Sequence, residues 1–150
     1  EAKMSFLKER HMANEILNGA FFHHIALRAR DYEASMRFYR DALGMACKGE
    51  WGNRGDRGCM LLIGNGGIIE LYEGGTKDLP EDFEMRNGSF FHLAIAVDDV
   101  DAAYRKALDA GAREKIAPTD NVIGSAPPMP IRMAFVYGPD GELIEFFQDR

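Results

Sequence analysis

The sequence predicts an α+β fold of two tandem βαβββ modules forming a curved mixed sheet or half-barrel, and three observations carry that reading. First, one stretch is written twice. His24 to Ala42 reads HIALRARDYEASMRFYRDA and His92 to Ala110 reads HLAIAVDDVDAAYRKALDA, with seven of nineteen positions identical at a constant offset of 68, so one structural unit is used twice. Second, both copies pass from an apolar, strand-like run into apolar positions at helical spacing. Third, each copy is followed by three strand-like runs separated by Gly, Asn and Pro.

Taken in chain order, residues 1–20 (EAKMSFLKERHMANEILNGA) match neither copy and form an N-terminal extension. Around His11-Met12 this segment reads as partly tag-derived; if native, residues 4–16 suit an amphipathic helix. Residues 21–150 are expected to form a single domain with modules at 21–74 and 89–148. Phe21 to Ala29 is the first strand. Asp31 is a fitting N-cap for a helix whose apolar positions are Tyr32, Met36, Tyr39 and Leu43, and Gly44 stops it. Strands follow at Met45 to Trp51, Gly58 to Ile63 and Gly67 to Glu73. The second module repeats the punctuation: Asp98 or Asp99 opens the helix, Tyr104 and Leu108 face its core, and Gly111 closes it. Its strands are expected at Arg113 to Pro118, Arg132 to Tyr137 and Glu142 to Gln148. Gly64-Asn65-Gly66-Gly67 and Gly138-Pro139-Asp140-Gly141 are hairpin turns, because Gly and Asn tolerate positive φ and Pro presets its own. Gly74 to Ser89 reads as the inter-module connection and Pro118 to Pro130 as a pocket-edge loop.

Composition narrows the function. The chain has 150 residues, 46% hydrophobic and 28% charged, with a formal net charge of -6. These values are globular, and no apolar run reaches the roughly 20 residues that cross a bilayer. Basic residues lie scattered among acidic ones, which offers no cationic stripe to a phosphate backbone. No nucleic-acid or membrane partner is expected. Cys47 and Cys59 are the two cysteines; without a CxxC or a secretory leader they read as free, buried thiols and small core residues in a reducing cytoplasm.

The chemistry lies in what the repeat carries. His24 and His92 hold the same place in the two copies, and Glu70 and Glu145 sit near the middle of the last strand of each module. Alternation along a strand places Phe22, Ala26 and Arg28 on the face of His24, and Ile68 and Tyr72 on that of Glu70. An ionised carboxylate inside an apolar strand costs several kcal/mol unless it is paired. A divalent cation shared by two imidazoles and two carboxylates removes that penalty, and Zn, Ni, Co, Mn and Fe all suit such donors. His23 lies on the opposite strand face and reads as structural or surface.

HIALRARDYEASMRFYRDALGM, IIELYEG, FFHLAIAVDD and MAFVYGPDGELIEFF resemble the signatures of glyoxalase I within the vicinal oxygen chelate superfamily, from about Phe21 to the C-terminus. The resemblance implies metal ligands His24, Glu70, His92 and Glu145, one divalent ion per site, and a homodimer whose sites draw ligands from two chains. A single closed site within one chain is the alternative. It also implies a lyase that turns the hemithioacetal of glutathione and an α-oxoaldehyde into a thioester through an enediolate. Glu145 is then the catalytic base with Glu70 opposite it, and Arg28 holds the glutamyl carboxylate of a glutathione adduct. The chain departs from the pattern at Gly74, where glyoxalase I has Asn, and at Gly124, Ser125 and Ala126, where it has Lys with glycines. Trp51 and Tyr72 are the aromatics that would line a differently shaped pocket. Two other readings stand beside the lyase: an epimerase of the methylmalonyl-CoA type, and a non-catalytic drug-binding protein of the same fold.

Overall fold

In the computed structural model, which describes residues 16, 17 and 20–150, the punctuation of the repeat becomes geometry. The helix expected over 4–16 falls outside the described residues except for Ile16, which sits in a turn. Strand β1 (His24–Arg28) leads to helix α1 (Tyr32–Met36). The Asp31 side chain accepts the Ala34 amide at 2.9 Å, satisfying a donor the first turn leaves free. The helix continues as a π-helical segment (Arg37–Ala42), whose widened turn lets the adjacent Phe38 and Tyr39 both go inside, at 2% and 0% exposure. Three strands complete the module: β2 (Ala46–Trp51), β3 (Gly58–Leu62) and β4 (Ile68–Tyr72). A short 3-10 turn (Phe83–Met85) lies in the connection. The second module is β5 (Leu93–Ala96), α2 (Val100–Asp109), β6 (Arg113–Ile123), β7 (Met129–Tyr137) and β8 (Leu143–Asp149). Asp99 caps α2 by accepting the Ala102 amide at 2.9 Å.

Each module forms a four-stranded mixed sheet, β1-β4-β3-β2 and β5-β8-β7-β6, and neither closes into a barrel. The first and last strands of each module are parallel, and the hairpins between are antiparallel. One face of each sheet is sealed. Leu61, Ile69, Leu71, Val136, Ile144 and Phe146 join Met36, Phe38, Tyr39, Val100 and Ala107 in a single buried cluster spanning both modules. The other face is open: in β1, His24, Ala26 and Arg28 are exposed while Ile25 and Leu27 are half-buried.

Two expectations are corrected. Pro118 to Pro130 is not mainly a loop, because β6 runs to Ile123 and β7 starts at Met129. The proline at 118 is tolerated because β6 is an edge strand whose register shifts between Ile116 and Thr119, where a missing N–H costs no ladder bond. Of the two cysteines expected in the core, Cys59 is buried but Cys47 is exposed, since β2 is the outer strand of its sheet.

A polar clasp ties the modules together. Asp140, in the turn before β8, accepts the Arg30 amide at 2.7 Å and the Ser35 hydroxyl at 2.7 Å. Two residues on, Glu142 accepts a hydrogen bond from the Tyr39 hydroxyl.

Candidate metal centre

The strand register builds each half of the site from three residues. In the first sheet Ala26 pairs with Glu70 and His24 with Ile68, and Met60 flanks Glu70 on the other side. Ala26 has only a methyl to raise above the sheet, so the His24 ring leans over it toward the carboxylate. His24 Nε2 lies 3.4 Å from Glu70 Oε2. The second sheet repeats the layout with Ala94 beside Glu145 and Phe135 on its far side. There His92 Nε2 is 3.2 Å from Glu145 Oε2. Ala26 and Ala94 are one of the seven identities of the repeat, and the geometry gives that identity its reason.

The halves differ in their surroundings. Glu145 is 8% exposed; burial pushes its carboxyl above the usual carboxylate range, and the His92 ring opposes that rise. On the first sheet the hydrogen bond to Glu70, more than burial, raises the Tyr72 hydroxyl. The imidazoles are also held differently. His23, exposed as expected of a surface residue, brings its Nδ1 to 2.8 Å from His24 Nδ1, which leaves His24 Nε2 for the site. His92 Nδ1 is buried without a hydrogen-bond partner, and the ring centres of Phe91 and Phe135 lie 4.7 and 5.6 Å from that of His92.

The donor set fits a divalent ion. Two ligands about 2.1 Å from one cation at angles of about 90–110° are about 3.0–3.4 Å apart, and each His–Glu pair has that spacing. The four donors do not gather within one chain. Among the described residues, the only group of three or more His, Cys, Asp or Glu donors within 4.8 Å of one another is Cys47, Glu50 and Cys59. The chain presents two half-sets instead, because the modules meet through the helical segments on their sealed sides and leave the open faces outward.

Arg28 shares the open face with His24. Its Nη1 donates to the Glu73 carbonyl at 2.8 Å, and its guanidinium lies 5.2 Å from the centre of the Tyr72 ring. Trp51 meets Tyr72 edge-on at 5.7 Å and covers Gly58, where an added Cβ would strike the indole at 2.4 Å. Gly74, at φ +94°, points no side chain at Arg28, so the space over the guanidinium stays open. Sequence reasoning missed Glu84, which the connecting segment lays against the second sheet. Glu84 accepts a hydrogen bond from the Tyr137 hydroxyl at 3.3 Å and pairs with Lys115, and that lysine holds its carboxyl below the usual range. No periodic pattern marks a residue delivered by a connection.

A model of the Glyoxalase/Bleomycin resistance protein/Dioxygenase superfamily matches residues 21–146. The chain belongs to this superfamily. The uncharacterized protein YwbC of Bacillus subtilis strain 168 is 34% identical over 138 residues, covering 83% of this chain and 94% of YwbC. A probable lactoylglutathione lyase of Vibrio cholerae is 30% identical over 138 residues, covering 85% and 89%. A crystal structure of a glyoxalase family protein from Enterococcus faecalis superposes with a TM-score of 0.66 at 21% identity, covering 86% and 98%. Glyoxalase-superfamily proteins generally bind a divalent metal, in accord with the donor spacing. Among the described residues no helix is long and apolar enough to cross a membrane.

Proposed function

We propose that this glyoxalase-superfamily chain is a metal-dependent lyase of the glyoxalase I type, working in a homodimer. His24 and Glu70 of one copy would hold a divalent ion together with the partner's His92 and the partner's Glu145. The reading rests on one observation, the paired imidazole Nε2 and carboxylate Oε2 at ligand spacing on the open face of each module. The ion, when bound, supplies Lewis acidity that favours negative charge on vicinal substrate oxygens.

The chain's own residues do the rest. Glu145 takes the proton from the carbon beside the thioether and returns it to the neighbouring carbon, its carboxylate held in place by burial on β8. Glu70 faces the substrate from the opposite side. Arg28 receives a carboxylate at the open end of the first sheet, and Trp51 and Tyr72 line that end. A binding protein without turnover would carry no ion.

Elemental analysis of the purified protein, followed by turnover with methylglyoxal and glutathione, tests the reading. Up to about one divalent ion per chain is expected, with His92→Ala losing both ion and turnover. Metal content unchanged in that variant would remove His92 from the site.

A further inference from the structure

We infer that Cys47 and Cys59 are a redox-active dithiol, with Cys47 the thiol that reacts first and Cys59 the thiol that resolves it. The two sulfurs are 2.8 Å apart, closer than two unbonded sulfurs rest. Their meeting has a cause in the strand. Cys47 and Glu50 are three residues apart, so a regular strand would turn them to opposite faces. A register shift between Cys47 and Gly49 inserts an extra residue, and such a bulge returns both side chains to one face. Cys47 is then paired with Leu61, and Glu50 with Cys59.

Access and chemistry differ between the two thiols. Cys47 is exposed on the outer strand and Cys59 is fully buried. Burial first, and the contact with Cys47 second, push the Cys59 thiol up to about 12, so the reagent meets Cys47. With a low-molecular-weight disulfide RSSR as oxidant, the Cys47 sulfur attacks one sulfur, the S–S bond breaks, and RSH leaves with the Cys47 proton. The Cys59 sulfur then displaces the second RS group, which leaves as RSH with the Cys59 proton. Two protein thiols are oxidised to one disulfide while RSSR is reduced to two RSH.

A metal is the competing occupant, because the Glu50 carboxylate lies within 4.8 Å of both sulfurs. Two thiolates about 2.3 Å from one Zn ion and 2.8 Å apart would subtend only about 75°, far from tetrahedral. The spacing favours a sulfur–sulfur bond.

The full-length protein is treated with oxidised glutathione, then denatured, its free thiols counted, and digested with trypsin. Residues 41–48 and 58–77 are the tryptic peptides that carry the two cysteines. The expected result is loss of both thiols and recovery of these peptides joined, two hydrogens lighter than their sum, with reduction separating them. Cys47→Ser, a change at an exposed position, should slow consumption of the remaining thiol by at least about tenfold. Cys59→Ser should leave a stable glutathione adduct on Cys47. The proposal is overturned if both thiols survive, if each carries its own glutathione, or if the bond forms between chains. It is overturned equally if added Zn alone shields both thiols from alkylation in the untreated protein and oxidised glutathione leaves the peptides separate.

Discussion

Arg28 and Glu142 show how differently a charged side chain can be used in this molecule. Arg28 is exposed, spends one donor on the Glu73 carbonyl and lies against Tyr72, so its remaining donors face solvent on the His24 side. Arg28→Ala is expected to raise KM for an anionic substrate by about 10–100-fold, the worth of a charge-assisted hydrogen bond, while bound metal stays constant. Steady-state kinetics beside elemental analysis would show it. Glu142 is the reverse case. Burial pushes its carboxyl up to about 7 against the hydrogen bond from Tyr39. Between about pH 4.5 and 7 the folded protein keeps a proton that the unfolded chain has lost, so stability falls as pH rises through that window. Glu142→Gln stays neutral throughout. Unfolding free energies from urea titrations at pH 5 and pH 8 should therefore differ more in the parent than in the variant, by on the order of 2–3 kcal/mol. The repeat made His24 and His92 legible, but nothing marked Glu142 beyond its place in a strand-like run. Its environment is created by Tyr39, 103 residues away.

At the scale of elements, strand register is what brings His and Glu together. In both modules a small alanine separates histidine from carboxylate in projection, Ala26 beside Glu70 and Ala94 beside Glu145. Ala94→Val puts a branched side chain under the path of the His92 ring on a face that already has exposed room, so the fold should tolerate it. The expected outcome is at least about tenfold weaker metal binding with unchanged circular dichroism, as for lost support of a ligand. Unaltered metal affinity would mean the alanines are interchangeable. Helix starts and hairpin turns were readable from Asp31, Asp99 and the Gly-rich turns, because caps and turns depend on local chemistry. The π-helical segment and the full length of β6 were not. Phe38 and Tyr39 are both drawn inside by a core that neither helix face alone would satisfy, and Pro118 looked like a terminator until an edge-strand register shift absorbed it.

For the whole molecule, the duplication was legible from one repeat, and the docking of its halves was not. Repetition gives two equivalent open faces, but their relative direction depends on which faces seal the core. In this chain the modules meet helix to helix on their sealed sides and the half-sets stay apart. If a second copy completes each site, two dead variants should rescue one another. His24→Ala and His92→Ala, mixed and allowed to exchange subunits, give dimers in which one site of each mixed pair is intact, so about a quarter of parental activity returns. A site confined to one chain would return none. The clasp between the modules also bears on Glu145. Asp140 is anchored on Arg30 and Ser35, and Glu145 follows only five residues later on β8. The reach of that carboxylate is thus surveyed from the opposite module, and lengthening the intervening turn by one residue would slide it by about 3.3 Å along its strand. Length is therefore freer to vary in the connection over 74–89 than in the turn at 138–141, where any change moves the Glu145 side chain and the seam between the modules together.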